Sequence, residues 1–156
     1  MGHQSLAESC LISMIQAPAD GGTPTSFTEV DYRVDMLGWD NVLFICAVGV
    51  LADAPTFRAV ENTVSSSGTN SAITGAISAE IDDSTGDQSL VLIDVKRDSI
   101  TKRYVGIEVD YDADNGACFS CVIAIRYNGN GIKYPVTQVA ADAAGAGFKT
   151  IELVKA

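Results

Sequence analysis

Two cysteines three residues apart, Cys118 and Cys121, form the only C-x-x-C pattern in the sequence. Such a pair binds zinc or exchanges disulfides when a turn or a helix N-terminus brings the two sulfur atoms together. The stretch around them, GACFSCVIAIRY (116–127), is instead typical of a β-strand, in which positions i and i+3 point to opposite faces. We therefore predict no metal or redox site and interpret these cysteines as small apolar residues. A cross-strand or intersubunit disulfide formed after assembly is the alternative.

A second candidate for chemistry is the run of carboxylates at Asp110, Asp112 and Asp114, which has the spacing of the first ligands of a calcium loop. Such a loop needs Gly at its sixth position, where this sequence has Asn115, and Glu at its twelfth. We interpret the run as the acidic tip of a hairpin, with a loose divalent-cation site as the alternative. We interpret the acidic stretch 80–87 as a solvated loop, with a structural cation as the alternative.

Catalysis has little support in the sequence. The only histidine is His3, close to the start of the chain, so the usual general base and nitrogen ligand are missing elsewhere. Serine-triad motifs, phosphate-binding loops and dinucleotide-binding glycine patterns are also absent. The sequence therefore predicts a protein that is not an enzyme and has no cofactor.

The charge balance restricts the classes of partner. The formal net charge is −10 and the isoelectric point is near 4.3, which argues against binding to nucleic acid or to anionic membranes. Four basic residues nevertheless fall within eight positions: Lys96, Arg97, Lys102 and Arg103. They are either a solvated hairpin end or a contact patch for an acidic partner. The N-terminus lacks the pattern of a signal peptide, so we expect synthesis in a reducing cytoplasm.

Short apolar segments separated by turn residues make up most of the chain, and they predict an all-β domain over residues 27–139. The predicted strands are 27–36, 39–51, 56–64, 71–81, 89–97, 103–112, 117–128 and 132–139. The strand 39–51 is apolar on both faces, as expected of a central strand that is covered on both sides. This pattern predicts an antiparallel β-sandwich with jelly-roll-like connectivity.

The two ends of the chain are predicted to be arms. Residues 1–26 form an N-terminal arm and loop, in which 4–16 suits a helix, a strand or an arm on a neighbouring subunit. Residues 140–156 form a Gly/Ala-rich linker and a last apolar segment, TIELVKA. Apolar arms bridge subunits by strand addition or groove packing. The predicted assembly contacts in the arms are Leu11, Ile12, Ile15, Ile151 and Leu153.

Two blocks of the sequence resemble a family of tailed-phage virion proteins. The first block spans residues 17–63, and its matching positions are Pro18, Gly38, Trp39, Asp40, Gly49 and Phe57–Glu61. The second block spans 89–125 and contains the most recognisable tripeptide, Lys102-Arg103-Tyr104. A polar turn and Pro135-Val136 follow it. The segment 65–85 is longer than is usual in the family, and the tail after residue 140 is extra.

The resemblance implies a capsid decoration (cement) protein on the outer surface of the virion. Such a protein binds the major capsid protein, often as a homotrimer, and stabilises contacts between capsomers. Because avidity multiplies weak contacts in a symmetric oligomer, this role needs edges and arms rather than a pocket. The alternatives are a carbohydrate-binding β-sandwich module and a structural protein of the tail or collar, with a small hydrolase or an inhibitor ranked below them.

Overall fold

The computed structural model describes residues 9–20, 28–29, 33–49, 54–65, 67–81, 88–111 and 119–129. The strands in these ranges are β1 (Cys10–Asp20), β2 (Thr28–Glu29), β3 (Val34–Asp35), β4 (Trp39–Val48), β5 (Pro55–Asn62), β6 (Ser71–Ile77), β7 (Leu90–Lys96), β8 (Tyr104–Tyr111) and β9 (Phe119–Gly129). A short 3₁₀ turn, Arg97–Ser99, follows β7. Within these ranges, no helix has the length and apolar character needed to cross a membrane.

The strands form two antiparallel sheets that pack face to face. The first sheet has the order β1-β9-β4-β7. The second has the order β2-β8-β5-β6, and the short strand β3 also pairs with β8. Side chains from the inner faces of both sheets fill one core between them. This is the predicted antiparallel β-sandwich.

The pairing of the strands is nested. β1 pairs with β9, β2 and β3 pair with β8, β4 pairs with β7, and β5 pairs with β6. The first half of the chain therefore runs beside the second half as one antiparallel ribbon. Folding the ribbon over places β9 beside β4 and β8 beside β5. This connectivity is that of a jelly roll, and it confirms the predicted fold class.

Residues 10–20 belong to the sandwich as an edge strand. The sequence left 4–16 open between helix and strand, and predicted a loop from residue 17, but β1 continues to Asp20. Pro18 is compatible with this because β1 lies at the edge of its sheet, where a proline removes no ladder hydrogen bond. The register shifts between Gln16 and Ala19, so the pairing is interrupted around the proline.

The predicted strand 27–36 is divided in the structure. Only Thr28–Glu29 and Val34–Asp35 are paired among the described residues of this segment, both with β8. A tight turn then leads into β4, with Gly38 at a φ of 81° and the Leu37 N–H donating to Asp35 Oδ1 over 2.9 Å. The predicted strand 132–139 lies outside the described residues.

One face of each central strand is buried in the core. Val42, Phe44 and Cys46 of β4 are fully buried, as are Val122 and Ala124 of β9. The alternating residues of the same strands point away from the second sheet. Phe57, Ala59, Val105 and Ile107 complete the opposite wall of the core.

Candidate functional site

The outer face of the four-stranded sheet is apolar, and we call it the outer apolar face. Its members come from all four strands: Ile12, Met14, Leu43, Ile45, Leu90, Leu92, Ile123 and Ile125. They are the residues that alternate with the core residues along each strand. None of the described strands packs over them, since the second sheet covers the other side.

The strand register brings these side chains into rows across the sheet. Ile123 lies opposite Met14 on one side and Ile45 on the other, and Ile45 lies opposite Leu92. One apolar row therefore crosses the whole sheet. A parallel row contains Ile12, Ile125 and Leu43 and ends at Asp94.

The exposure of this face increases toward β7. Leu90 is 65% exposed and Leu92 is 62% exposed, whereas the residues on β4 and β9 are half-buried between their neighbours. Single exposed leucines are ordinary on protein surfaces, but contiguous apolar patches mark interaction sites. The sequence contained this signal, because 39–51 and 116–127 are apolar at both odd and even positions. Which of the two faces would remain outside could not be decided from it.

Arg126 lies on the core face of β9, opposite to the face that carries the isoleucines. Its side chain is 2% exposed and lies on the core face beside Val122 and Ala124. The guanidinium donates to the Asp35 carbonyl over 2.8 Å and to Ser13 Oγ over 3.1 Å, and it lies 5.8 Å from the centre of the Trp39 ring. Burial lowers the pKa of Arg126 to about 10, and the charge of Asp35 opposes that shift.

Polar groups border the outer apolar face at the end where β7 stops. Tyr127 donates its hydroxyl to the Asp94 carboxylate over 2.8 Å. Burial, this hydrogen bond and the charge of Asp94 raise the pKa of Tyr127 to about 12. Lys96 is exposed on the same face of β7, and Arg97 is exposed in the turn that follows.

The four predicted basic residues divide into two pairs. The ion pairs among the described residues do not include Lys96 or Arg97. Lys102, by contrast, donates from Nζ to Ser71 Oγ over 2.6 Å. Arg103 donates from Nε and Nη2 to the two carboxylate oxygens of Asp35 over 2.8 and 2.6 Å. That bidentate contact lowers the pKa of Asp35, with burial opposing it.

The predicted arm contacts also divide. Leu11 and Ile15 are buried in the core of the sandwich at 8% and 1% exposure, so their apolar surface is already used within the chain. Ile12 is a member of the outer apolar face. Ile151 and Leu153 lie outside the described residues.

The three described thiols do not converge on a site. Cys46 points into the core, while Cys121 lies on the other face of the neighbouring strand, opposite Ala47. Both are reduced thiols, as is buried Cys10. Burial, with a smaller effect of Cys121, raises the pKa of Cys46 to about 12. Cys118 and Asp112–Asp114 lie outside the described residues, within which no cluster of His, Cys, Asp and Glu could hold a metal ion.

The outer face of the second sheet carries a hydrogen-bonded polar network beside buried Val60 and exposed Ile77. Arg58 donates from Nε and Nη2 to Glu108 Oε2 over 2.9 and 2.6 Å. Asn70 donates to the other oxygen of Glu108 over 2.8 Å, and Asn62 donates to Asn70 over 3.0 Å. These polar groups bind one another, so this face has its own internal network.

Comparisons of the chain with family models, with curated proteins and with solved structures found no match.

Proposed function

We propose that this protein is a non-enzymatic virion structural protein that decorates the outside of a phage head and stabilises contacts between capsomers. Its partners are the major capsid protein and further copies of itself, in a trimer. The observation that carries the proposal is the outer apolar face, which is an extended sheet surface rather than a pocket. The resemblance of two sequence blocks to phage virion proteins supplies the identity of the partner.

The two outer faces suit a protein that lies on a lattice. Covering the outer apolar face with another surface is favourable by about 25 cal/mol per Å² of apolar area removed from water. On the outer face of the second sheet, buried Asn62 and Glu108 already have hydrogen-bond partners within the chain. Jelly rolls build many viral coat proteins, and this chain has that connectivity.

The basic residues at the border of the outer apolar face would orient the protein as it approaches the capsid. Lys96 and Arg97 are exposed in a chain whose net charge is −10. An acidic site on the capsid would attract this end of the molecule and repel the rest, which orients the approach. Lys102 and Arg103 are instead hydrogen-bonded within the chain, to Ser71 and Asp35.

The proposal is tested by co-sedimentation with empty expanded heads of the phage whose genome encodes the chain. Ile125→Lys places a charge in the middle of the outer apolar face, and we expect it to weaken head binding at least about tenfold. The matched control is Leu37→Lys, which makes the same change at an exposed leucine (68%) in the turn before β4. Urea denaturation checks that both variants are folded.

Wild-type protein that does not bind the heads contradicts the proposal. Equal binding by the two folded variants also contradicts it, because the outer apolar face would then have no part in attachment.

A further inference from the structure

The described strands leave four edges in the sandwich, and three of them carry features that discourage pairing with another strand. β1 contains two register shifts and Pro18. β2 and β3 have two residues each. β6 has a register shift and a glycine at positive φ, Gly75. Bulges, prolines and short edge strands are the devices by which proteins protect their sheet edges.

β7 lacks these devices. Its seven residues pair with β4 in unbroken register, from Lys96 opposite Asn41 to Leu90 opposite Ala47. It contains no proline and no glycine. Among the described strands, only β4 pairs with it. A regular sheet edge of this kind is a template for pairing with another chain.

One hydrogen bond shows which backbone groups of β7 point to the open edge. The Val48 N–H donates to the Ser89 carbonyl over 2.9 Å, so the backbone groups of Ser89 face β4. Successive residues of an antiparallel strand direct their N–H and C=O groups to alternate sides. The odd-numbered residues of β7 therefore bond to β4, and the even-numbered residues direct these groups to the open edge. The even-numbered residues are Leu90, Leu92, Asp94 and Lys96.

A cleft beside this edge adds apolar contacts. It has a volume of about 410 Å³ and opens between β7 and β6, the edge strand of the second sheet. Ile73 and Ile93 belong to its lining, together with the hydroxyl groups of Thr74 and Ser78. A strand added to β7 would place every second side chain over this cleft and the others on the outer apolar face. The added strand must therefore be apolar on both faces, as residues 90–93 of β7 are themselves.

β7 can pair with a second copy of itself about a two-fold axis. With Leu92 opposite Leu92 of the second copy, five residues of each strand are paired, and Leu90 of each copy contacts Leu92 of the other diagonally. Val91 then lies opposite Ile93 of the second copy, over the cleft. No charged residue lies opposite a like charge in this register. With Asp94 on the axis, by contrast, two carboxylates would face each other, which is unfavourable.

The size of the contact predicts a reversible dimer. β7 is about 23 Å long, and the side of the sandwich that it borders is about 20 Å wide, so a second copy would cover on the order of 500 Å² of each chain. A standard stable interface covers about 800 Å² of each partner, and smaller ones are typical of weak complexes. The dimer should therefore form at high protein concentration and dissociate on dilution.

We propose that this protein forms a homodimer in which β7 pairs antiparallel with β7 of a second copy, about a two-fold axis at Leu92. The two four-stranded sheets become one sheet of eight strands, and both outer apolar faces lie on the same side of it. The contact is isologous. It is therefore distinct from the three-fold contact of the trimer under the proposed function, and it would join neighbouring trimers. The pairing is a property of the isolated protein and does not depend on attachment to a capsid.

Hydrogen exchange of the wild-type protein at two concentrations tests the pairing. Diluting the protein from about 1 mM to about 10 μM dissociates the dimer by mass action. We expect the amides of Leu90, Leu92 and Asp94 to exchange at least about threefold faster after dilution. The amides of Val91 and Ile93, which face β4, are the control within the same strand and should not change. Equal exchange at the two concentrations overturns the proposal, also where these amides are protected throughout, because the edge would then be covered within one copy.

A charge on the two-fold axis provides a second test, measured by analytical ultracentrifugation without heads. Leu92→Lys places two lysines opposite each other, and we expect it to raise the dissociation constant of the pairing at least about tenfold. At a concentration that pairs the wild-type protein, the mass of this variant should fall to half. The matched control, Leu37→Lys, makes the same change at an exposed leucine in the turn before β4 and should keep the wild-type mass.

Urea denaturation checks that both variants are folded. Equal masses of the two folded variants overturn the proposal, as does a wild-type protein that has the mass of the Leu92→Lys variant up to about 1 mM. Because no heads are present, these results are independent of whether the protein binds a capsid.

Discussion

Arg126 connects the two sheets through one side chain. Ser13 lies on β1 of the four-stranded sheet, while the Asp35 carbonyl belongs to β3 of the second sheet, and both accept hydrogen bonds from the guanidinium. The carboxylate of Asp35 in turn binds Arg103 at the start of β8. A buried charge with hydrogen-bonded partners is costly to remove, because its partners then lose their donors.

Replacement of Arg126 should therefore destabilise the fold. We expect Arg126→Ala to lower the free energy of unfolding by about 3–5 kcal/mol, from the lost packing and the unpaired acceptors. Arg126→Met keeps most of the volume and should cost less, about 1–3 kcal/mol. Urea denaturation at neutral pH measures both, with exposed Arg97→Ala as the control. An Arg126→Ala protein as stable as that control would contradict this account.

Glu61 stabilises the connection that leads into β8. Its side chain, 8% exposed, accepts hydrogen bonds from the Thr101 N–H and hydroxyl, both over 2.6 Å, and from the Lys102 N–H over 3.0 Å. Burial alone would raise the pKa of Glu61, but these hydrogen bonds and the charge of Lys102 bring it below its usual value. The ionised form is therefore the one that the folded state prefers.

The lowered pKa gives a pH dependence with a definite sign. The stabilisation is complete above the unfolded pKa of about 4.3 and is lost as the pH falls through the lower pKa of the folded state. We expect Glu61→Gln to cost about 1–3 kcal/mol at pH 7 and progressively less below about pH 4.3. Urea denaturation of both proteins across this pH range measures the difference. A difference that grows on acidification would show that the sign is wrong.

At the scale of elements, the sequence predicted the positions of the central strands better than the extent and pairing of the edge strands. Alternation and turn residues located β4, β5, β7, β8 and β9 to within a few residues, because both faces of a strand leave period-two patterns. The extent of β1 past Pro18 depended on its place at a sheet edge, which is a tertiary property. The division of 27–36 into two short strands also depended on its pairing partner, β8.

The outer apolar face illustrates the same limit. Apolar residues at both parities of 117–128 indicated a strand but not which side would be inside. In the fold, Arg126 is buried on the core face with Ser13, Asp35 and Trp39 as partners, and those partners are distant in the sequence. The basic cluster was visible in the sequence, but its division into exposed Lys96 and Arg97 and hydrogen-bonded Lys102 and Arg103 required the fold.

β6 bends away from regular pairing at Gly75. Arg58 pairs with Ile77 and Val60 pairs with Ala72. Between these two pairs β5 moves by two positions and β6 by five, so β6 carries extra residues. Gly75 takes a φ of 79° there. A residue with a side chain adopts this conformation at a cost of about 1–2 kcal/mol.

Gly75→Ala should therefore destabilise the protein by about 1–2 kcal/mol through the backbone alone, because nothing lies within 4 Å of the added Cβ. Gly75→Asn should cost less, since asparagine tolerates positive φ better than alanine. Thermal and urea unfolding of the two variants provide the comparison. An alanine variant as stable as the asparagine variant would mean that β6 relaxes to an ordinary strand.

At the scale of the whole molecule, the sandwich has two unlike surfaces on one jelly roll. One outer face is apolar with exposed lysine and arginine at its border, and the other carries a polar network beside exposed Ile77. This asymmetry means that attachment through the first face leaves the acidic remainder of the chain directed away from the partner. Electrostatic attraction at the border would then add to apolar burial, and salt would weaken only the electrostatic part.

This division predicts the effect of salt on head binding under the proposed function. Lys96→Gln with Arg97→Gln should weaken binding and reduce its dependence on salt between about 0.05 and 0.5 M, because the attractive charges are lost. The matched control, Thr63→Glu with Thr69→Glu, changes the net charge equally at exposed positions of the segment between β5 and β6. It should bind with the wild-type salt dependence. Co-sedimentation with heads over a salt series measures both. If the two variants respond to salt alike, net charge rather than the Lys96–Arg97 border governs the approach of this protein to the capsid.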